Sequence, residues 1–352
     1  MSLPPNAALP DVDAARDPLG VLATTRPVVA GARHVRIDAA RVGETADDLA
    51  KNWNGPPAWE ATLHYQDPGE PWKTAMWTLL LDALNFCFWP DGVASDRRWG
   101  VRYHGKRYDG YWGLAAALSR AVEEGAPLFD PAALAGISEA EVAHILRPDE
   151  ERAGTPDIPL LDKRVAHIRE VGAGLLRWQE RQPGQPPVVT LIESAEGSGP
   201  ALARQVIADF PSFNDVTTYH GKPVHLLKRA QILIADLAGT FEGQGLGEFL
   251  NLDELTVFAD YKVPQVLRRF GILVYGDELA EWIARYEVIP AGSAAEVEIR
   301  AGTVWACELL RRAMASREIT LHAFELDWTL WVAGQFLPGD AEPYHRTRTV
   351  FY

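Results

Sequence analysis

Apolar residues recur at helical spacing over much of this chain. The stretch 113–124, GLAAALSRAVEE, places them every third or fourth residue, and 161–181 continues that period as one long amphipathic helix. Ser138 followed by Glu141 forms a capping-box signature ahead of EVAHIL, and Pro200, just inside a Ser198-Gly199 start, opens a helix to residue 209. Further helices are expected at 224–238, 264–270, 277–286, 296–315 and 322–334. Strand signals are few. The clearest are two short hairpins, GVRYHGKRYDG and VTTYHGKPVHL, turning at His-Gly 104–105 and 220–221. Strand and helix do not alternate over several units, which argues against a doubly wound parallel sheet. The pattern predicts a mainly α, multi-helix globular fold with one or two short β-hairpins.

Residues 1–17, rich in Pro, Ala and Asp, read as a flexible N-terminal arm, and 18–352 as a single domain. The Pro-rich segment 182–187 reads as a long loop rather than a domain boundary.

Composition narrows the setting. Hydrophobic residues make up 47% of the 352 and charged residues 23%, enough to bury a globular core. The most apolar run, Trp77 to Trp89, carries Asp82 and Asn85 and falls short of the ~20 residues a membrane span needs. The N-terminus has neither the basic start nor the apolar centre of a signal peptide. Two cysteines, Cys87 and Cys307, make no disulfide framework or Cys-rich zinc site; both lie in apolar helical patterns and read as buried thiols. A reducing compartment, the cytoplasm, is expected.

The formal net charge of -14 repels a polyanion at long range unless the basic residues are strongly clustered, but it leaves room for a small anionic ligand, which needs only a few local donors. Twelve Trp, ten Tyr and twelve Phe supply stacking surfaces for a flat ligand beyond what a core consumes.

The candidate chemistry is carried by carboxylates among aromatics. GQGLG at 243–247 lacks the preceding strand and the spacing of a phosphate loop and reads as a connection. The nine histidines form no HExxH pair or metal-ligand spacing, and no GxSxG elbow occurs; neither metal nor cofactor is expected. In FADYKVPQ, Asp260 sits between Phe258 and Tyr261, ahead of Pro264; a helix cap and a catalytic carboxylate fit equally well. In LDWTLW, Asp327 and Trp331 stand four apart on one helical face, where an indole could stack on a heterocycle and a carboxylate accept from its N–H groups; taken alone, the string fits better a helix packing its tryptophans while Asp327 bonds a neighbouring Arg. KRAQILIAD sets Lys228 and Arg229 near Asp236, and PYHRTRTVFY concentrates His345, Arg346 and Arg348. Phosphate contacts and structural ion pairs are both open for these cations.

Several strings together resemble the queuosine-salvage protein family. They are DALNFCFWP (82–90), YHGKRYDGYWGLAAALSRA (103–121), FPSFNDV (210–216), LKRAQILIADL (227–237), FADYKVPQ (258–265), EVEIRAGTVWACELL (296–310), LDWTLW (326–331) and the terminal PYHRTR. They are long, unusual and in the family's order, from about residue 18 to the C-terminus. The resemblance implies a helical fold distantly similar to DNA glycosylases. It implies hydrolysis of queuosine 5'-phosphate to queuine, for reinsertion into transfer RNA, and ribose 5-phosphate. It places the catalytic carboxylate at Asp260 and base contacts at Phe258, Leu326, Asp327 and Trp331, and at His64 in TLHY, whose flanks depart from the family pattern. Lys228 and Arg229, then Arg346 and Arg348, are the expected phosphate ligands. No direct nucleic-acid partner and no membrane are expected. Two alternatives stay open: a nucleic-acid base glycosylase, and a non-catalytic queuine-binding protein.

Overall fold

A computed structural model describes residues 6–59, 61–90, 98–149, 151 and 154–352. Among them are fourteen α-helices and three two-stranded antiparallel sheets, so the chain is mainly α. At the centre runs helix Ala294–Ala315, in which every residue from Ala295 to Glu308 is buried. A helix covered on all sides needs partners all round. It packs against helices Val21–Gly31, Ala39–Lys51, Lys262–Arg269 and Ala323–Gln335.

Both expected hairpins form. Strands Gly100–Tyr103 and Lys106–Asp109 pair around His104–Gly105, and Val216–Tyr219 and Lys222–His225 around His220–Gly221. Each turn holds both central residues at positive φ (46° and 76°; 48° and 76°), the conformation that matches strand twist in a two-residue hairpin. Glycine is needed at the second position of each. A third sheet, Val35–Ile37 with Leu273–Tyr275, was not foreseen, because it joins three-residue segments far apart in sequence.

The helix expected at 224–238 starts later, at Lys228. Leu227 turns left-handed (φ 52°), and the Lys228 amide donates to Oδ2 of Asp215 at 3.2 Å, so a distant side chain sets this start. The segment 187–193 is helical (Pro187–Glu193), as are Val21–Gly31, Ala39–Lys51, Pro71–Ala83 and Pro131–Gly136, none of which the periodicity marked. Both cysteines are buried and free, as expected. Cys87 lies outside any helix, at φ 44°.

Of the segment read as an arm, residues 1–5 lie outside the described residues. From Asn6 onward it runs against the body: the amide of Ile37 donates to the Asn6 side chain at 2.8 Å, Ala7 donates to the Ile37 carbonyl at 3.0 Å, and Arg26 Nε to the Pro10 carbonyl at 3.1 Å. Among the described residues no helix is long and apolar enough to cross a membrane.

Candidate active site

Asp260 lines a cleft at the start of helix Lys262–Arg269. Its Oδ1 accepts from the amides of Lys262 and Val263, both at 2.8 Å, and so caps helix Lys262–Arg269. Among the described residues Oδ2 takes no hydrogen bond, while the side chain lines a cleft. The cap reading is met by one oxygen, and its twin takes no part in it. Burial raises the Asp260 carboxyl above the usual range, opposed by Lys228 and the two amides.

The backbone ahead of Asp260 is fixed by a buried ion pair. Arg300, from the central helix, donates through Nε to the Ala259 carbonyl at 3.0 Å and bidentately to Asp215 at 3.0 and 2.6 Å. Asp215 also receives the Lys228 amide. One guanidinium thus ties the Asp260 segment to the start of helix Lys228–Thr240. A second tie comes from helix Ala323–Gln335, where Oδ1 of Asp327 accepts the Phe258 amide at 2.9 Å.

Lys228 is the cation of the floor. It is buried, its Nζ donates to the Asn85 carbonyl at 3.4 Å, and burial lowers its pKa against the pull of Asp260 first and Asp82 next. Around it stand acids that burial drives upward: Asp82 to about 7, and Asp236 and Asp327 well above the carboxylate range, Asp327 further raised by Asp260. Asp327 consequently keeps its proton to higher pH than a solvated carboxylate and can donate a hydrogen bond as well as accept one.

Aromatic rings make the walls. On helix Ala323–Gln335, Asp327, Trp328, Trp331, Val332 and Gln335 share the cleft face, the i, i+4, i+8 row of a helix and its neighbours. Trp331 meets Tyr111 and Trp112 edge-on at 5.8 and 5.7 Å between centroids. Trp59 stacks on His64 at 5.1 Å and 25° and touches Trp328 at 5.0 Å. Trp59 lies so close to helix Lys228–Thr240 that a Cβ at Gly239 would come within 2.7 Å of its ring. Phe258 packs with Ala235 and Phe324 and faces the same cleft.

One part of the lining is cationic. Arg98 and Lys262 both sit over the ring of Tyr344, at 5.5 and 5.3 Å, beside Tyr261. Neither has a carboxylate within ion-pair distance among the described residues, and burial together with Arg98 lowers Lys262 to about 8. Two half-buried cations sharing one aromatic support form a cationic corner of the lining.

The cleft brings together Asp260, His64, Phe258, Asp327, Trp331 and Lys228. Leu326 does not line it: one position off the cleft face, it is fully buried in the core. Arg229 does not line it either, because its guanidinium is spent on the carbonyls of Asp82, Ala83 and Ser212. Arg346 lies over Trp89 and Tyr286 and donates to the Pro90 carbonyl, and Arg348 lies over Trp89 against the Cys87 sulfur. The C-terminal string reaches the site through Tyr344 and Tyr352 instead. Sequence reasoning missed Trp59, Arg98, Tyr111, Asp236, Lys262 and Trp328 as parts of the lining. Lys262 was legible, two residues past Asp260; Arg98 and Trp59 carried no signal.

Helices thus enclose a cleft with aromatic walls, a carboxylate floor and a cationic corner. The chain belongs to the queuosine salvage protein family: the family model of that description matches residues 63–352. It is 50% identical over 336 residues to the queuosine 5'-phosphate N-glycosylase/hydrolase of Sphaerobacter thermophilus, covering 96% of this chain and 98% of that protein. The Bos taurus protein of the same name is 33% identical over 92% of this chain and 96% of its own length. That of Nematostella vectensis is 36% identical over 82% and 85%.

Proposed function

We propose that this chain is an N-glycosyl hydrolase of queuosine salvage that cleaves queuosine 5'-phosphate, with water, into queuine and ribose 5-phosphate. The observation that carries this reading is the division of labour at Asp260, whose Oδ1 is held by two amides while Oδ2 is left to the cleft. As the C1'–N bond breaks, the base takes the bonding pair and positive charge grows on the ribose. A fixed carboxylate beneath C1' offsets that charge without having to reorganise. Water then supplies hydroxide to C1' and a proton to the departing base. Lys228, the strongest attractive neighbour of Asp260, favours its ionised form.

A 7-deazapurine lacks the ring nitrogen at which purine leaving groups are ordinarily protonated, so the enzyme must hold the base by its remaining edge. Asp327 and His64 serve that edge, and Phe258 and Trp331 stack on the ring, an interaction worth about 1–3 kcal/mol per base. For the phosphate we assign Lys262 and Arg98, leaving Lys228 to Asp260. What supports this choice is that these two cations line the cleft without a carboxylate partner among the described residues, whereas the Arg229 guanidinium donates to three backbone carbonyls away from it. The partner is a small nucleotide rather than transfer RNA, in keeping with a net charge of -14. Incubation with queuosine 5'-phosphate, followed by chromatography, tests the reading. Stoichiometric queuine and ribose 5-phosphate are expected; bound but uncleaved nucleotide would refute it.

A further inference from the structure

We propose that Asp327 is the general acid of the reaction: its Oδ2 delivers a proton to the sugar-side ring nitrogen of the base, N3, as the C1'–N bond breaks. This deepens the function proposed above and rests on it. Asp327 stands on helix Ala323–Gln335 with its side chain in the cleft. Its Oδ1 accepts the Phe258 amide at 2.9 Å, which makes that oxygen the carbonyl end of a protonated carboxyl and puts the hydrogen on Oδ2. Among the described residues Oδ2 takes no hydrogen bond, yet it is not sealed off from solvent. An acid with its proton on the open oxygen is set to give it to a ligand.

Two carboxyls in one cleft divide into acid and carboxylate only when their surroundings differ. Here they do. Asp260 has two amides on Oδ1 and Lys228 as its strongest attractive charge. Asp327 has one amide, and Asp260 is the charge that acts on it most strongly, in the direction that holds its proton; Lys228 opposes less. The other groups that face it are Asp236, from helix Lys228–Thr240, and the buried thiol of Cys307, from the central helix; neither carries positive charge.

Position selects the acceptor. Phe258, whose amide Asp327 holds, is two residues ahead of Asp260, so Asp327 lies at the sugar end of the cleft. Asp236, about two turns along its helix from Lys228, answers chiefly to Asp82 and Lys228 instead. A 7-deazaguanine has a single ring nitrogen with a free lone pair, N3, next to the glycosidic nitrogen. The C1'–N bonding pair flows onto the base, N3 takes the Oδ2 proton, and the tautomer formed relaxes to the N9–H form in water. The attacking water gives hydroxide to C1' and its remaining proton to Asp327, which restores the starting acid.

Asp327→Asn keeps the acceptor for the Phe258 amide and removes only the transferable proton. Queuine release from queuosine 5'-phosphate is followed in single turnover across pH, with enzyme saturating so that weaker binding does not enter. The parent rate should fall as pH rises and Asp327 ionises. The variant should be slower by about a hundredfold or more at pH 7, and that alkaline fall should be gone. Infrared difference spectra of the free proteins at pH 7, parent against variant, should show the C=O band of a protonated carboxyl in the parent alone. A variant within a few-fold of the parent, an alkaline fall that survives in it, or a missing carboxyl band overturns the proposal. A parent that releases no queuine refutes the functional reading itself. That outcome is separate from an active parent with an equally active variant, which refutes only the role of Asp327.

Discussion

The amide of Phe258 donates to Oδ1 of Asp327 at 2.9 Å, so the segment that carries Asp260 is fastened to the helix that carries Trp331. A carboxylate expected to contact the base acts as a strut for the backbone. Asp260 is built the same way, with one oxygen on backbone amides and the other toward the cleft.

This double duty separates two substitutions. Asp327→Ala leaves a buried amide without its acceptor and should cost about 1–3 kcal/mol of stability. Asp327→Asn keeps an acceptor oxygen at the same place and should melt near the parent while binding substrate more weakly. Urea unfolding of both variants, beside KM for the nucleotide, checks the split.

The cationic corner makes a prediction about phosphate. Removing one charged donor to an anion costs about 1.5–3 kcal/mol, or roughly 10- to 100-fold. Lys262→Ala and Arg98→Ala should each raise KM for queuosine 5'-phosphate by that order and leave the bare nucleoside nearly unaffected. An equal loss on both substrates would remove the pair from phosphate recognition.

Acid should unfold the protein partly through His345, which burial first, then Arg300, depress from 6.5 to about 3. The unfolded chain takes up that proton before the folded one does. Stability from this residue is therefore complete above pH 6.5 and falls as pH drops toward 3. By pH 5 the loss is on the order of 2 kcal/mol. His345→Gln should narrow the difference in urea midpoint between pH 7 and pH 5; an unchanged difference would show that His345 is not held neutral.

What could be read from the sequence followed from local physics. Helix Leu161–Arg181 and the His-Gly hairpins announce themselves through period and turn chemistry, and they form where expected. Helix Pro71–Ala83 escaped because it is apolar on every side, so it has no period to show. The start at Lys228 escaped because its cap is Asp215, reached through space. The same division holds in the site. Phe258, Asp260, Asp327 and Trp331 sit in strings that mark them, whereas Trp59, Arg98 and Tyr111 are brought in by tertiary packing alone. Charge was the poorest guide to role: Arg229 and Arg346 look like anion ligands in a string of letters, yet their guanidiniums satisfy backbone carbonyls in the interior.

The central claim is that the cleft-facing oxygen of Asp260 carries the chemistry while its other oxygen carries the fold. Asp260→Asn tests it most directly, because the amide oxygen can still cap helix Lys262–Arg269 while the negative charge is gone. Single-turnover release of queuine from queuosine 5'-phosphate is the measurement, with the melting temperature taken alongside. A loss of about a thousandfold or more at an unchanged melting temperature is the predicted result. Release within a few-fold of the parent would contradict the account.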